Sequence, residues 1–193
     1  MTTNMDPSSN VLLSGPVQPG GVYLLWTELA VAQTLAFGKF RHGERIHLPM
    51  GGYVYVGSAH GKRGASSLGY RLLRHATRTD GSPHPIRATL FNTLQEKGLP
   101  AKIPNQKTLH WHIDYLLDLP NAALQEAAAI LTDRRMENKI AAVLENMPET
   151  QVVAAGLGAS DHAGRTHLLH VPAGKVWWEW LTRRIRDDGN LFL

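Results

Sequence analysis

The sequence predicts a mixed α/β domain, because two kinds of segment alternate along it. Residues 22–26 (Val22, Tyr23, Leu24, Leu25, Trp26) and 53–56 are unbroken runs of β-branched, aromatic and aliphatic side chains, as expected of strands buried on both faces. Leu68, Leu72 and Ala76, and again Met136, Ile140, Val143, Leu144 and Met147, fall on one side of a 3.6-residue repeat, as expected of helices lying on a core. The chain has 193 residues, 43% hydrophobic and 19% charged, which is globular composition and enough length for one compact domain with additions.

Residues 1–19 mix Thr, Asn, Ser, Pro and Gly and read as a flexible arm, with the domain proper at 20–172. After the strand at 22–26, a second is expected at 34–40. Residues 43–52 read as a connection with turn chemistry at Pro49, Gly51 and Gly52, and the strand at 53–56 completes a possible antiparallel meander of three. Ser67 suits the cap of a helix running to about Thr77. On that helix Arg71, Arg74, His75 and Arg78 share one arc beside the apolar stripe. Residues 79–109 form an insertion with a short helix marked by Ile86, Leu90 and Leu94. Residues 110–117 have strand character, so that His110, His112 and Asp114 would share one face. The Ala-rich stretch at 120–131 suits a helix by propensity and a strand by its apolar end. A helix carrying Glu137 at the edge of its stripe follows, then strands near 152–154 and 167–171. An aromatic and basic extension, 173–193, carries a helical segment with Trp177, Trp178 and Trp180, which suit packing, and Arg183, Arg184 and Arg186.

Composition removes several classes of chemistry. No cysteine is present, which excludes disulfides, thiol nucleophiles and thiolate metal sites, so any metal must be held by His, Asp or Glu. No apolar run approaches the ~18 residues that cross a bilayer, and the N-terminus lacks a signal-peptide pattern, so a cytoplasmic location is expected. The net charge of +4 fits a polyanionic partner.

Gly21-Val22-Tyr23 and Tyr55-Val56-Gly57 are followed by a Gly/Ser loop, a helix with Arg71 and His75 four apart, and a later helix bearing Glu137. This order resembles the GIY-YIG nuclease superfamily. Four stretches are similar to its Uri-type branch in particular: Gly52-Tyr53-Val54-Tyr55-Val56-Gly57-Ser58-Ala59, the Arg71 to His75 turn, His110-Trp111-His112-Ile113-Asp114-Tyr115-Leu116, and Gly156-Leu157-Gly158-Ala159-Ser160-Asp161 with His167-Leu168. The resemblance runs from about Gly21 to Val171. It implies a small central antiparallel sheet flanked by helices and single-metal hydrolysis of nucleic-acid phosphodiesters, with Mg²⁺ or Mn²⁺ as the ion.

Carried over by motif, Tyr23 and Tyr55 are the paired tyrosines and Gly57 closes the second motif, leaving the backbone open to a phosphate. Arg71 and His75 match the Arg-x-x-x-His of the first helix, and Glu137 matches the metal-binding carboxylate. In this scheme Glu137 holds the ion and Arg71 forks onto phosphate oxygens. Tyr23 takes a proton from water if the cationic site lowers its pKa, with His75 relaying. Arg74, Arg78, Arg183, Arg184 and Arg186 are expected to contact nucleic acid, DNA in the first instance, electrostatically. His110, His112 and Asp114 support the site.

The sequence departs from the pattern in three places. Tyr23 and Tyr55 are 32 residues apart (55 − 23), longer than the compact superfamily core though similar to the Uri branch. The superfamily's late Asn has no matching motif, although Asn138 and Asn146 lie near Glu137. His162 and Gly164 stand where the branch tends to have cysteines. Two other functions fit the residues: a non-catalytic DNA- or RNA-binding module on the same fold, and a zinc hydrolase centred on His110, His112 and Asp114.

Overall fold

The computed structural model describes residues 10–159 and 165–188. Twelve regular elements run β1 (Val11–Ser14), β2 (Gly21–Leu29), β3 (Gln33–Ala36), β4 (Arg45–Leu48), β5 (Gly51–Ala59), α1 (Leu68–His75), α2 (Arg87–Glu96), α3 (His112–Leu117), β6 (Ala122–Leu131), α4 (Glu137–Glu145), β7 (Leu168–Val171) and α5 (Lys175–Asp188). Five strands form one sheet in the order β1-β6-β2-β5-β7. The mixed architecture with flanking helices is the expected one. The sheet is antiparallel from β6 through β7, while β1 joins its edge in parallel with β6.

Alternation in the central strands divides the core in two. Tyr23, Leu25, Tyr53 and Tyr55 point into a layer closed by Leu68, Leu72 and Leu73 of α1, Leu90 and Leu94 of α2, and Ile113, Leu116 and Leu117 of α3. Val22, Leu24, Trp26, Val54 and Val56 point the other way, onto Ile140 and Leu144 of α4 and Trp177, Trp178, Leu181 and Ile185 of α5. Trp178 stacks on Trp26 with ring centroids 5.7 Å apart, and its indole N–H donates to Glu126 at 2.8 Å. Within the extension, α5 therefore supplies one wall of the core; residues 189–193 lie outside the described residues. Of the three tryptophans, Trp177 and Trp178 are buried and Trp180 is partly exposed.

Several expectations need correction. Residues 11–13 of the supposed arm are buried, because β1 covers the apolar edge of β6; residues 1–9 lie outside the described residues. The meander does not form: β2 pairs directly with β5, while β3 and β4 make a separate two-stranded ribbon. The connection at 43–52 thus contains β4, whose Ile46 and Leu48 turn into the core as Arg45 and His47 face out. Ser67 precedes α1, but its hydroxyl donates back to the Gly64 carbonyl at 2.8 Å rather than capping the helix. Residues 152–154 form no strand; Gln151 alone bridges to His170. Residues 120–131 resolve as strand β6, since a place between β1 and β2 outweighs the helical preference of alanine.

The largest correction concerns residues 110–117, which are helical from His112. Asp114 at the third helical position accepts the Trp111 N–H at 3.0 Å and so secures the first turn. Ile113, Leu116 and Leu117 lie on one helical face, in the core.

Candidate active site

The β2–β5 register places Tyr23 opposite Gly57. A Cβ on Gly57 would lie 2.5 Å from the Tyr23 ring and hydroxyl. The tyrosine by itself is therefore sufficient to require the glycine. Tyr23 and Tyr55 lean toward each other with centroids 6.3 Å apart, and both are buried. Burial raises the pKa of each phenol well above the usual tyrosine value, more than Arg71 lowers it. The condition on which Tyr23 would take a proton as a phenolate, a pKa lowered by cationic surroundings, is not met by the protein's own groups, because desolvation of the enclosed phenolate outweighs one guanidinium.

Helix α1 presents Arg71 and His75 one turn apart on the side facing the tyrosines. Arg71 donates to the Ser58 carbonyl at 2.6 Å, and its guanidinium lies 4.5 Å from the Trp111 ring centroid. Its Nε–H is buried with no protein acceptor. His75 is fully enclosed, with Nε2 3.0 Å from the Tyr23 hydroxyl and Nδ1 3.2 Å from Asp114 Oδ1. Burial pushes its pKa down to about 4 despite the neighbouring carboxylate.

Glu137 opens α4, where a carboxylate suits the helix dipole, and its side chain reaches the end of β5. The Ser58 hydroxyl donates to Oε2, and His167 Nδ1 lies 3.1 Å from Oε1. Burial would raise its pKa, but His167, Ser58 and Arg71 together hold it below the usual glutamate value. An ionised carboxylate with 30% of its side chain exposed suits a hard cation whose other positions are taken by water and phosphate oxygens. Glu137 and Arg71 meet at a cavity of about 170 Å³, lined also by Tyr55, Ser58, His60, Trp111, Arg135, Asn138 and His167.

The structure thus brings Tyr55, Arg71 and Glu137 to one cavity, with Tyr23 and His75 behind it. Other candidates have different roles. Arg74 is buried, bound to Asp114 at 2.8 Å and to the Thr108 carbonyl. Arg78 clasps the carbonyls of Leu117 and Leu119, both at 2.7 Å, and of Ala122 at 2.6 Å. Neither guanidinium is available to nucleic acid, because the arc that seemed cationic and outward is covered by α3 and the segment after it. Arg183, Arg184 and Arg186 are exposed on α5. Arg183 and Arg186 border a groove of about 460 Å³ with Lys175, Glu126 and Glu179.

The supposed His-x-His-x-Asp face does not exist, since a helix separates its members. His110 is exposed, His112 accepts the Gly158 N–H at 3.0 Å and packs on Phe40, and Asp114 is buried among Arg74, His75 and Lys107. Among the described residues no group of three or more His, Asp or Glu side chains is placed to hold a metal. Asn138 reaches the cavity and contacts His167 at 3.1 Å, whereas Asn146 bonds back to Ala142 on its own helix. Ser160, Asp161, His162 and Gly164 lie outside the described residues.

A family model described as a domain of unknown function, DUF123, matches residues 22–187. The chain belongs to the DUF123 family. No curated protein and no solved structure matches it. The matched region of this DUF123 domain contains every cavity residue named above and most of α5, while β1 precedes it.

Proposed function

We propose that the cavity between Arg71 and Glu137 hydrolyses nucleic-acid phosphodiesters, as the resemblance to Uri-type GIY-YIG nucleases implies. The reading is carried by the meeting of Tyr55, Arg71 and Glu137, brought from β5, α1 and α4 to one cavity. Arg71 is held by Ser58 and Trp111 yet keeps an Nε–H without an acceptor, which favours a phosphate oxygen as its missing partner. Tyr55 stays protonated and donates a hydrogen bond toward the same oxygens. Glu137 would hold Mg²⁺ or Mn²⁺, which when bound polarises the phosphoryl oxygen and stabilises the departing one. Exposed Arg183, Arg184 and Arg186 supply the long-range attraction for the polyanion.

The test is turnover of labelled DNA and RNA, single-stranded, duplex, flapped and branched, with added Mg²⁺ or Mn²⁺. Glu137→Ala should lower cleavage on the order of 10²-fold or more with binding near wild type, since losing a carboxylate does not repel phosphate. Arg71→Lys should recover little of what Arg71→Ala loses, because an ammonium cannot reproduce the guanidinium fork. A Glu137→Ala protein that cleaves as well as wild type refutes the site. Saturable binding with no turnover of any substrate would leave a non-catalytic nucleic-acid-binding module.

A further inference from the structure

We propose that Asp114 is a positioning residue that fixes His75 in the Nδ1–H tautomer, so that Nε2 stands as a hydrogen-bond acceptor facing the Tyr23 hydroxyl. Asp114 lines no part of the cavity. Its carboxylate is fully buried at the head of α3, where Oδ2 accepts the backbone N–H groups of His110 and Trp111, both at 3.0 Å, and Arg74 at 2.8 Å. Oδ1 faces Lys107 at 3.4 Å and His75 at 3.2 Å.

Burial alone would raise its pKa, but the hydrogen bond and charge of His75 and the charges of Lys107 and Arg74 hold it far below the usual aspartate value. An ionised carboxylate only accepts, so the His75 nitrogen that meets it must carry the hydrogen. With the imidazole neutral near pH 7, Nε2 is then bare, and the Tyr23 hydroxyl at 3.0 Å must donate to it. Both hydrogen-bond directions in the Tyr23–His75–Asp114 chain follow from the charge on its last member.

The inference rests on the hydrolytic reading and gives Tyr23 a way to act without becoming a phenolate. Tyr23 lies behind the cavity and is enclosed in the free protein, so the step requires that substrate binding admit one water beside it. As that water's O–H bond breaks toward the Tyr23 oxygen, the Tyr23 O–H bond breaks toward His75 Nε2. The water oxygen bonds to phosphorus, the bond from phosphorus to the leaving oxygen breaks, and that oxygen takes a proton from solvent. Tyr23 is neutral before and after, and the positive charge resides on an imidazolium facing Asp114. The proton returns through Tyr23 to solvent afterwards. His75 packs against Tyr23 of β2, Tyr55 of β5 and Trp111 and bonds Asp114, with the charges of Arg74 and Lys107 also on that carboxylate and His84 near, so among the described residues Asp114 is the one anion the imidazole meets.

The test is long-range ¹H–¹⁵N correlation of the full chain carrying ¹⁵N-histidine, with His75 assigned by its loss in His75→Gln. At pH 7 the expected pattern is a protonated Nδ1 and a bare Nε2. A protonated Nε2 overturns the proposal. Asp114→Asn, alone and combined with Lys107→Met to keep the cluster's net charge, offers Nδ1 an amide donor. The ring should then change to the Nε2–H form, and kcat should fall on the order of 10²- to 10⁴-fold with KM little changed. A changed tautomer with unchanged turnover, or lost turnover with the tautomer retained, also overturns it. If these variants do not fold, the wild-type spectrum decides. Should the wild type cleave nothing, the nuclease reading fails, and the same spectrum still settles whether Asp114 orients His75.

Discussion

At Gly57 one hydrogen atom in place of a methyl group lets Tyr23 lie flat across the neighbouring strand and reach His75. Gly57→Ala should therefore displace the phenol, costing about 1–3 kcal/mol of stability in urea unfolding and abolishing cleavage with it. Arg78 offers a contrasting expectation. Arg78→Ala strands three carbonyl groups where α3 passes into β6 and should cost about 3 kcal/mol, with affinity for nucleic acid unchanged. The sequence showed that Arg71, Arg74, His75 and Arg78 share a side of one helix. Helical spacing fixes direction around an axis, but what covers that direction depends on a segment forty residues later, so the burial of Arg74 and Arg78 was not legible. The motif order singled out Tyr55, Arg71 and Glu137. Trp111 and His167 meet them from distant parts of the chain, while Ser58 and His60 follow Tyr55 closely and Arg135 and Asn138 flank Glu137; of these, Ser58, Trp111 and His167 lay within motif stretches.

Among the elements, those buried on both faces or along a full helical stripe were legible, namely β2, β5, α1 and α4, because their patterns run long enough to exclude the alternative period. Of the shorter elements, β3, β7 and α2 were also expected, whereas β1, β4 and α3 were not. In α3, Ile113, Leu116 and Leu117 carry a helical spacing, but over six residues the alternation of His110, His112 and Asp114 competes with it, and the first turn is secured by Asp114 from within. β4 has an alternating burial pattern over four residues and lies between turn glycines. Helix α5 yields the element-scale prediction. Deleting residues from Lys175 onward would uncover Trp26, Val54 and Val56, so the truncated chain should lose cooperative unfolding and near-ultraviolet circular dichroism. The exposed arginines of α5 can be changed without that loss. Arg183→Ala and Arg186→Ala should stay folded, weaken binding, and each lower the slope of log affinity against log salt by about 1.

For the whole molecule, acid is the revealing variable. Burial pushes His75 down to about 4 and His84 down to about 3, the latter helped by the charges of Arg78 and Lys107. An unfolded chain takes up these protons near pH 6.5, before the folded one does. The stability due to the neutral rings is therefore complete above pH 6.5 and is lost as pH falls toward 4. Each ring then contributes a slope of up to ~1.4 kcal/mol per pH unit, and urea midpoints should fall steadily between pH 7 and 4.5. A flat profile would mean that the two imidazoles are not enclosed as described. Chain order adds a temporal constraint. Val11 of β1 pairs with Ala127 of β6, 116 positions later (127 − 11), so translation makes one edge of the sheet long before the strand it rests on. Until residue 131 has left the ribosome, Val11, Leu12 and Leu13 have nowhere to dock, and a pause in that interval offers an apolar segment to chaperones or to another nascent chain. Nascent chains arrested before that point should be cut by protease near Val11, and completed ones should resist.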